Sequence, residues 1–148
     1  MPSTHTSLHL HIVFSTKDRV VSIKAEWRQR LHSYLGGALN SLSVVPLSVG
    51  GVADHVHLLV GIKPIHALSD VMRDVKKASS MWVHDEIGHR QFAWQEGYGA
   101  FSVSHSNLEQ VLEYVEHQEA HHASRSFQDE YRELLQRHGI AFDEKYLW

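Results

Sequence analysis

The feature that most limits the possible folds is the order of segments with strand-like and helix-like periodicity. The first segment, LHLHIVFS at 8–15, is rich in β-branched and apolar residues and predicts a strand. From about residue 24 to 42, apolar residues recur at helical spacing, which predicts an amphipathic helix. VVPLSVGG and DHVHLLVGI then predict two strands, which we expect to form a hairpin around Gly50-Gly51.

The second half of the chain continues the alternation. A helix is predicted from about residue 67 to 86, ending at Gly88, and YGAFSVS predicts a further short strand. The sequence SNLE at 106–109 matches a capping box, so another helix should begin at about Asn107. A final helix is predicted over 127–138.

This order, β-α-β-β-α-β with helices appended, is typical of a ferredoxin-like α+β sandwich with an antiparallel sheet. The two long helices would cover one face, and the other face would be left for the C-terminal helices, a ligand or a partner. Pro46 indicates that its strand is interrupted or lies near an edge. The chain has 148 residues, of which 43% are hydrophobic, so we predict one domain over 1–148.

Cysteine is absent from the sequence. Disulfides, thiolate zinc sites and cysteine nucleophiles are therefore excluded, and a cytoplasmic location is favoured. No apolar stretch approaches the roughly 18 residues of a membrane span, and the start of the chain does not resemble a signal peptide. Any metal would be held by His, Asp, Glu or Gln.

The charge is distributed unevenly. The net charge of -3 argues mildly against a nucleic-acid-binding protein, which is usually basic. Up to His84, however, nine Lys and Arg residues stand against five acidic ones, and from Asp85 onward five stand against twelve. A basic patch on the first half could meet phosphates. An acidic helical tail with a solvated face explains the second half equally well.

Two histidines lie on the predicted strand DHVHLLVGI. Side chains at i and i+2 of a strand point to the same face, so His55 and His57 should project together while Val56 and Leu58 point into the core. Two imidazoles at this spacing can chelate one divalent cation. The pair alone is incomplete, because catalytic metal sites usually take three protein ligands.

A second pair with the same spacing, His9-Leu10-His11, lies on the first strand. Two such pairs are reminiscent of phosphoesterases with paired histidine motifs. Those enzymes need a Thr or Ser at the third position to hold phosphate oxygens, and here both third positions are His. We expect the first pair to line the same sheet face or to be partly exposed.

The helix after the capping box carries Tyr114 and Gln118 at i and i+4, so they should lie one above the other. At about 100° per residue, they flank an apolar stripe and could present a phenol and an amide beside it. A boundary tyrosine and a solvated glutamine are the alternative. The stripe consists of Leu108, Val111, Leu112 and Val115.

The strand pair His55-Val56-His57, followed by Tyr114-x-x-x-Gln118 on a helix, resembles the HUH single-tyrosine transposases of the insertion-sequence 200/605 family. The resemblance covers nearly the whole chain. Its further segments are LHLHIVFSTKDR, GVADHVHLLVGI, WQEGYGAFSVS and SFQDEYRELLQRHGIAFDEKYLW.

The resemblance implies that His55 and His57 are metal ligands and that Gln118 is the third. The ion would be Mg²⁺ or Mn²⁺, of which imidazoles favour manganese somewhat. Tyr114 would be the nucleophile, forming a 5′-phosphotyrosine link and releasing a free 3′-hydroxyl.

A phenol with a pKa near 10 needs activation at neutral pH. His117 and His121 lie near the nucleophile's side of the helix and are the candidates for a general base. Either of them could also replace Gln118 as a ligand.

Five basic residues are candidates for contacts with DNA phosphates. Lys17 and Arg19 follow the first strand, and Arg73, Lys76 and Lys77 share one face of the second helix. A solvated helix face is the alternative interpretation. The resemblance implies single-stranded DNA with hairpin ends as the substrate and a homodimer as the assembly, with the tyrosine helix acting in its own or in the partner's site.

Two other functions remain open from the sequence. The first is a domesticated endonuclease that acts on repeated palindromes with the same chemistry. The second is a non-catalytic ferredoxin-like nucleic-acid-binding module whose histidines are incidental.

Overall fold

The computed structural model describes residues 3–148, and its centre is an antiparallel sheet of four strands in the order β2-β3-β1-β4. The strands are β1 (His9–Ser15), β2 (Val45–Gly51), β3 (His55–Gly61) and β4 (Gly99–Val103). The helices are α1 (Ala25–Ser41), α2 (Leu68–Trp82), α3 (Leu108–Glu116), α4 (Gln118–His122) and α5 (Phe127–Arg137). This arrangement confirms the predicted ferredoxin-like α+β sandwich.

One face of the sheet is covered by α1 and α2 and holds the main hydrophobic core. Val56, Leu58 and Val60 alternate along β3 toward these helices, as the period of a strand requires. The helix α1 contributes a buried stripe at i, i+4 spacing, which is why this segment is helical and lies against the sheet. The stripe consists of Trp27, Leu31, Leu35 and Leu39.

A π-helical turn, Val83–Ile87, continues α2 to Gly88, where the backbone has φ 85°. Only glycine adopts this left-handed conformation without steric cost, so the helix ends where the sequence predicts.

The edge position of β2 also agrees with Pro46, and the register of β2 shifts between Pro46 and Ser48.

The hairpin turn lies later in the chain than predicted. Gly50 and Gly51 pair with His57 and Val56, so both glycines belong to β2 and the turn is formed by residues 52–54. A Cβ at Gly50 would lie 1.9 Å from the Val115 carbonyl oxygen. Glycine at this position therefore permits the close approach of α3 to the sheet.

The opposite face of the sheet is covered by the C-terminal helices. A second, smaller apolar cluster joins β1 and β4 to α5. A Cβ at Gly99 would lie 2.8 Å from the Tyr131 ring, so α5 also needs a glycine beneath it. The cluster consists of Val13, Phe101, Phe127, Tyr131 and Leu135.

The tyrosine helix begins within one residue of the predicted position, but its predicted capping box and its predicted continuation through His117 are wrong. The helix begins at Leu108, after a 3₁₀ turn, and no side chain caps its first turn, because the Ser106 hydroxyl instead lies 3.1 Å from that of Ser104. The backbone then breaks at His117 (φ −108°, ψ 36°), which separates α3 from α4.

Among residues 3–148, no helix is both long enough and apolar enough to cross a membrane.

Candidate metal and nucleophile site

Four side chains from three elements meet between the sheet and the C-terminal helices. His55 and His57 come from β3, His122 from α4 and Glu130 from α5, and one ligating atom of each lies within 4.8 Å of the others. Glu130 Oε1 lies 3.4, 3.0 and 3.1 Å from the Nε2 atoms of the three histidines, in the order named. The arrangement is a set of donors converging on one point.

The cluster is buried because of the elements that carry it. The period of β3 turns His55 and His57 away from the main core, toward α5, and both are 0% exposed. Glu130 belongs to the buried stripe of α5, and Asp54 immediately precedes the strand. Buried polar groups need partners, so the cluster must satisfy its own polar atoms.

Each of the three histidines is held at Nδ1, which leaves Nε2 directed at the centre of the cluster. Such support fixes the orientation of an imidazole and is typical of histidines that bind metals. The partners of His55, His57 and His122 are the Asp54 carboxylate (2.7 Å), His11 Nε2 (2.7 Å) and the Arg125 carbonyl (2.8 Å), respectively. His11 therefore lines the same sheet face as the HVH pair, one of the two outcomes expected for it.

The pKa values of these histidines differ with their neighbours. Burial, opposed by Glu130, lowers the pKa of His57 to about 4, and burial together with His57 lowers the pKa of His11 to about 3. Both rings are therefore neutral at neutral pH, the form in which imidazole binds metals. Burial also disfavours charge on His55, but the hydrogen bond with Asp54 and the negative charge of the nearby Glu130 carboxylate outweigh it and raise its pKa.

Glu130 connects the histidines to the predicted nucleophile. Burial alone would raise the pKa of its carboxyl, but His122, His55 and His57 overcome this effect and hold the pKa well below its ordinary range. The Tyr114 hydroxyl donates a hydrogen bond to Glu130 Oε2. One carboxylate therefore faces the phenol with one oxygen and the imidazoles with the other.

Tyr114 is half-buried and in its protonated form. Burial and then the negative charge of Glu130 raise the pKa of the phenol well above its ordinary value, while Gln118 and the positive charge of Arg125 oppose that shift. The Tyr114 ring lies 5.7 Å from that of His57 and 6.0 Å from that of His11. The phenol therefore lies beside the cluster and keeps its proton at neutral pH.

Gln118, the predicted third ligand, is buried at the start of α4, 1% exposed. Its amide nitrogen donates to the Tyr114 carbonyl at 2.9 Å. Within residues 3–148, its Oε1 atom and His55 Nε2 are two of three buried side-chain atoms without a hydrogen-bond partner. Both atoms are Lewis bases, so an ion could satisfy each of them.

The two histidines considered as general bases differ in position. The His121 ring lies 4.7 Å from the Tyr114 ring, on the exposed side of the phenol. His117 is exposed, and its Nδ1 atom donates to the Glu113 carbonyl at 2.8 Å within the same helix. The structure thus brings His121, and not His117, to the tyrosine ring.

Lys17 and Arg19 lie in a 3₁₀ turn at the site end of β1. The residue before this turn, Thr16, donates its backbone N–H to the Asp54 carbonyl at 2.8 Å, so the turn is next to the start of the HVH strand. Lys17 is exposed, whereas the Arg19 guanidinium lies 5.0 Å from the centre of the Trp148 ring.

The three basic residues of α2 lie on the other side of the sheet from the cluster. Arg73 is paired with Asp70 (3.2 Å) and Asp74 (3.1 Å), and Lys77 is exposed. Lys76 donates to the carbonyls of residues 95–97 at 2.5–3.2 Å, and burial lowers its pKa to about 8. Lys76 therefore fastens the segment before β4 to α2.

The sequence interpretation did not identify His122 or Glu130. A signal for Glu130 is present, because a carboxylate interrupts an otherwise apolar stripe at i, i+3, i+4 and i+8 of the last predicted helix. His122 has no comparable signal, since the chain contains 14 histidines and this one follows a break in the helix.

The chain matches the family model described as "Transposase IS200 like" over residues 4–118. The transposase for insertion sequence element IS200 of Salmonella typhimurium is 29% identical over 121 residues, covering 78% of this chain and 79% of the relative. The ISDra2 transposase TnpA of Deinococcus radiodurans is 29% identical over 119 residues, covering 75% and 84%.

Two solved structures have a similar fold. The crystal structure of a Deinococcus radiodurans R1 protein described as a transposase matches with a TM-score of 0.66 and 22% identity, covering 78% of this chain and 93% of that one. A REP-associated tyrosine transposase bound to a REP hairpin matches with a TM-score of 0.56 and 12% identity, covering 78% and 70%. At these identities the likeness concerns the fold.

Proposed function

The chain belongs to the IS200-like transposase family, and on that premise we propose that it cuts and rejoins single-stranded DNA, with Tyr114 as nucleophile and with a divalent metal ion. The DNA would carry hairpins at the ends of an insertion sequence. A REP-associated transposase of similar fold is bound to a hairpin, which supports DNA as the partner.

One observation carries this proposal: the phenol of Tyr114 and three imidazoles share a single carboxylate. The Tyr114 hydroxyl donates to Glu130 Oε2, and Glu130 Oε1 faces the Nε2 atoms at 3.0–3.4 Å. A scissile phosphate beside this carboxylate would meet the nucleophile and the candidate ligands at once. Catalysis of this kind depends mainly on such positioning.

The donor atoms suit a divalent ion. His55 and His57 would hold it, with His122, Glu130 and the Gln118 amide oxygen as further donors. Imidazole nitrogens favour Mn²⁺ over Mg²⁺, and a third imidazole strengthens that preference. A bound ion would supply Lewis-acid polarisation of the scissile phosphate and orient its oxygens.

The chain's own residues account for the covalent step. Tyr114 Oη would attack phosphorus as its proton passes to solvent, and the bond from phosphorus to the 3′-oxygen would break. The 3′-oxygen would take up a proton from solvent, so that the strand leaves with a 3′-hydroxyl. The 5′-phosphotyrosine preserves the phosphodiester energy. Another 3′-hydroxyl can therefore attack it and reseal the DNA, returning the phenol, without ATP.

The assembly is part of the same proposal. We expect a homodimer in solution, measurable by light scattering. In the conformation described here Tyr114 contacts Glu130 of its own chain, so the nucleophile and the histidines can meet within one subunit.

The test is the formation of a covalent protein–DNA adduct. Single-stranded oligonucleotides from the flanking genomic DNA are incubated with the protein and Mn²⁺ or Mg²⁺ and resolved on a denaturing gel. Tyr114→Phe should lower the yield by at least about 10³-fold, because it removes the attacking oxygen. Tyr34→Phe is the matched control, since it removes one hydroxyl from the helix-covered side, where Tyr34 stacks on Trp82.

Persistence of the adduct in Tyr114→Phe would refute the nucleophile assignment. A non-catalytic binding module would give no adduct with any variant and no change in DNA affinity on Tyr114→Phe. Palindromes flanking the gene, at the ends of a mobile element or repeated elsewhere in the genome, would distinguish transposition from a domesticated role.

A further inference from the structure

A cavity of about 540 Å³ opens between α3, β4 and α5 and ends at the tyrosine. Tyr114, Glu130 and His11 line its inner end. The volume lies within the range of about 300–1,000 Å³ that is usual for pockets of small ligands. The HVH histidines are 0% exposed, so this cavity is a route by which a substrate can approach the site.

Two arginines also line the cavity, and both form ion pairs with the same carboxylate. Glu133 forms ion pairs with Arg125 and with Arg137, the latter at 2.7 Å. The side chains of Arg125 and Arg137 are 38% and 71% exposed. Ion pairs at the surface are weak, so another anion can replace Glu133 at little cost.

The wall of the cavity can receive a nucleobase. The exposed His138 ring lies 4.6 Å from the buried Phe101 ring at an angle of 32°, and Val111 and Leu134 add apolar surface. Bases stack on exposed aromatic rings with little dependence on sequence. Asn107 and Gln110 add polar groups that can bond to a base edge.

We propose that this cavity receives the nucleotide next to the cleavage point of a single-stranded DNA, and that its phosphate takes the place of Glu133 between Arg125 and Arg137. The proposal rests on the proposed function. Guanidinium groups bind phosphate oxygens through two parallel hydrogen bonds, more strongly than a neutral donor does. Glu133 thereby acts as the occupant of a phosphate site while DNA is absent.

The cavity also links the phosphate site to the nucleophile. The Arg125 backbone carbonyl accepts a hydrogen bond from His122 Nδ1, and its side chain lines the cavity together with Tyr114. A strand that engages Arg125 would therefore lie next to the phenol and to Glu130. His121 stands at the same end, over the phenol ring.

The test measures the affinity of a short, fluorescently labelled, randomised single-stranded DNA by anisotropy at several salt concentrations. All variants carry Tyr114→Phe, so that no cleavage occurs. Arg125→Gln with Arg137→Gln should raise Kd about tenfold and reduce the salt slope by about 0.7 for each phosphate that is no longer neutralised. The matched control is Arg30→Gln with Arg90→Gln, which makes the same charge change outside the cavity.

Glu133→Gln should lower Kd several-fold, because it frees both arginines without removing them. Unchanged affinity and salt slope in the double-arginine variant, relative to its control, would overturn the proposal. Weaker binding by Glu133→Gln would overturn the displacement of Glu133. If the wild type forms the tyrosine adduct while the arginine variant binds normally, this inference fails alone; if the wild type forms no adduct, the proposed function fails.

Discussion

The two faces of β3 are both buried, but one carries apolar side chains and the other carries polar ones. Toward α1 and α2 the strand places Val56, Leu58 and Val60 in an apolar core. Toward α5 the same strand places His55 and His57, both 0% exposed, against a buried carboxylate. One side gains free energy from apolar burial, at about 25 cal/mol per Å², whereas the other must offset the desolvation of polar groups with hydrogen bonds.

The comparison separates folding from function. The apolar side contains no titratable group among the buried members of its core. On the polar side, the eleven-residue helix α5 covers the buried histidines and supplies the carboxylate that they contact. Buried ionic groups are weak contributors to stability, so their presence indicates another role. Variants on the two sides should therefore affect different measurements.

The largest effect is expected on the polar side. His55→Ala combined with His57→Ala should lower adduct yield at least about 10³-fold, because it removes the two candidate metal ligands of β3. We expect Mn²⁺ to raise the Tm of the wild type, and this increase should be absent in the variant. Circular dichroism should show that the variant remains folded. An unchanged adduct yield would refute the assignment of His55 and His57 as metal ligands.

On the apolar side, Leu58→Ala should reduce the free energy of unfolding by about 2–5 kcal/mol, because it leaves a cavity in a fully buried region. Urea unfolding measures this loss. The shift in Tm caused by Mn²⁺ should persist, since the histidines face the other way. Loss of that shift with retained folding would show that the two sides are coupled.

The hydrogen bond that orients His57 can be tested at His11, whose Nε2 atom lies 2.7 Å from His57 Nδ1. His11→Phe should weaken Mn²⁺ binding about 10–100-fold, as removal of such a partner usually does. Calorimetric titration with Mn²⁺ gives the affinity. His9→Phe, on the same strand and less buried, is the control, and equal effects of both changes would contradict the role of His11.

Gly50→Ala tests the contact between the sheet and α3. The new methyl group would meet the Val115 carbonyl and push α3 from β2, costing about 1–3 kcal/mol in stability. Because α3 carries Tyr114, adduct yield should fall by more than the loss of folded protein explains. Gly37→Ala, where a Cβ meets nothing within 4 Å, should leave both quantities unreduced.

The smallest effect is expected at Lys76. Lys76→Met should cost about 1 kcal/mol, because the carbonyls of residues 95–97 lose their donor. Lys77→Met, one position further on the exposed surface, should cost less. Binding of single-stranded DNA by the two variants would also test the predicted phosphate contacts of α2, and a larger loss of affinity in Lys77→Met would favour a surface role for this helix.

The fold was largely predictable because its signals are local. Periodicity located the strands and the long helices, and Gly88 and Pro46 marked a helix end and an irregular edge strand. The details that were predicted wrongly depend on tertiary contacts, which the local sequence does not show. Gly50 was interpreted as a turn residue, although it is a glycine because α3 crosses it.

The candidate site was predictable in part. His55 and His57 share a face by the geometry of any strand, and the family resemblance added Tyr114 and Gln118. The break at His117 was not expected, since no glycine or proline stands near it in the sequence. This break ends α3 and starts α4 at Gln118, so the amide and the phenol do not lie on one continuous helix.

The sequence by itself determined which residues alternate, which side of β3 carries histidines and which family the chain resembles, because these properties depend on neighbours a few positions apart. Only the tertiary structure brought Glu130 between those histidines and Tyr114, and His122 beside them. Glu130 lies 73 positions beyond His57. Contacts at such separations depend on how α5 packs across the sheet, which no local pattern specifies.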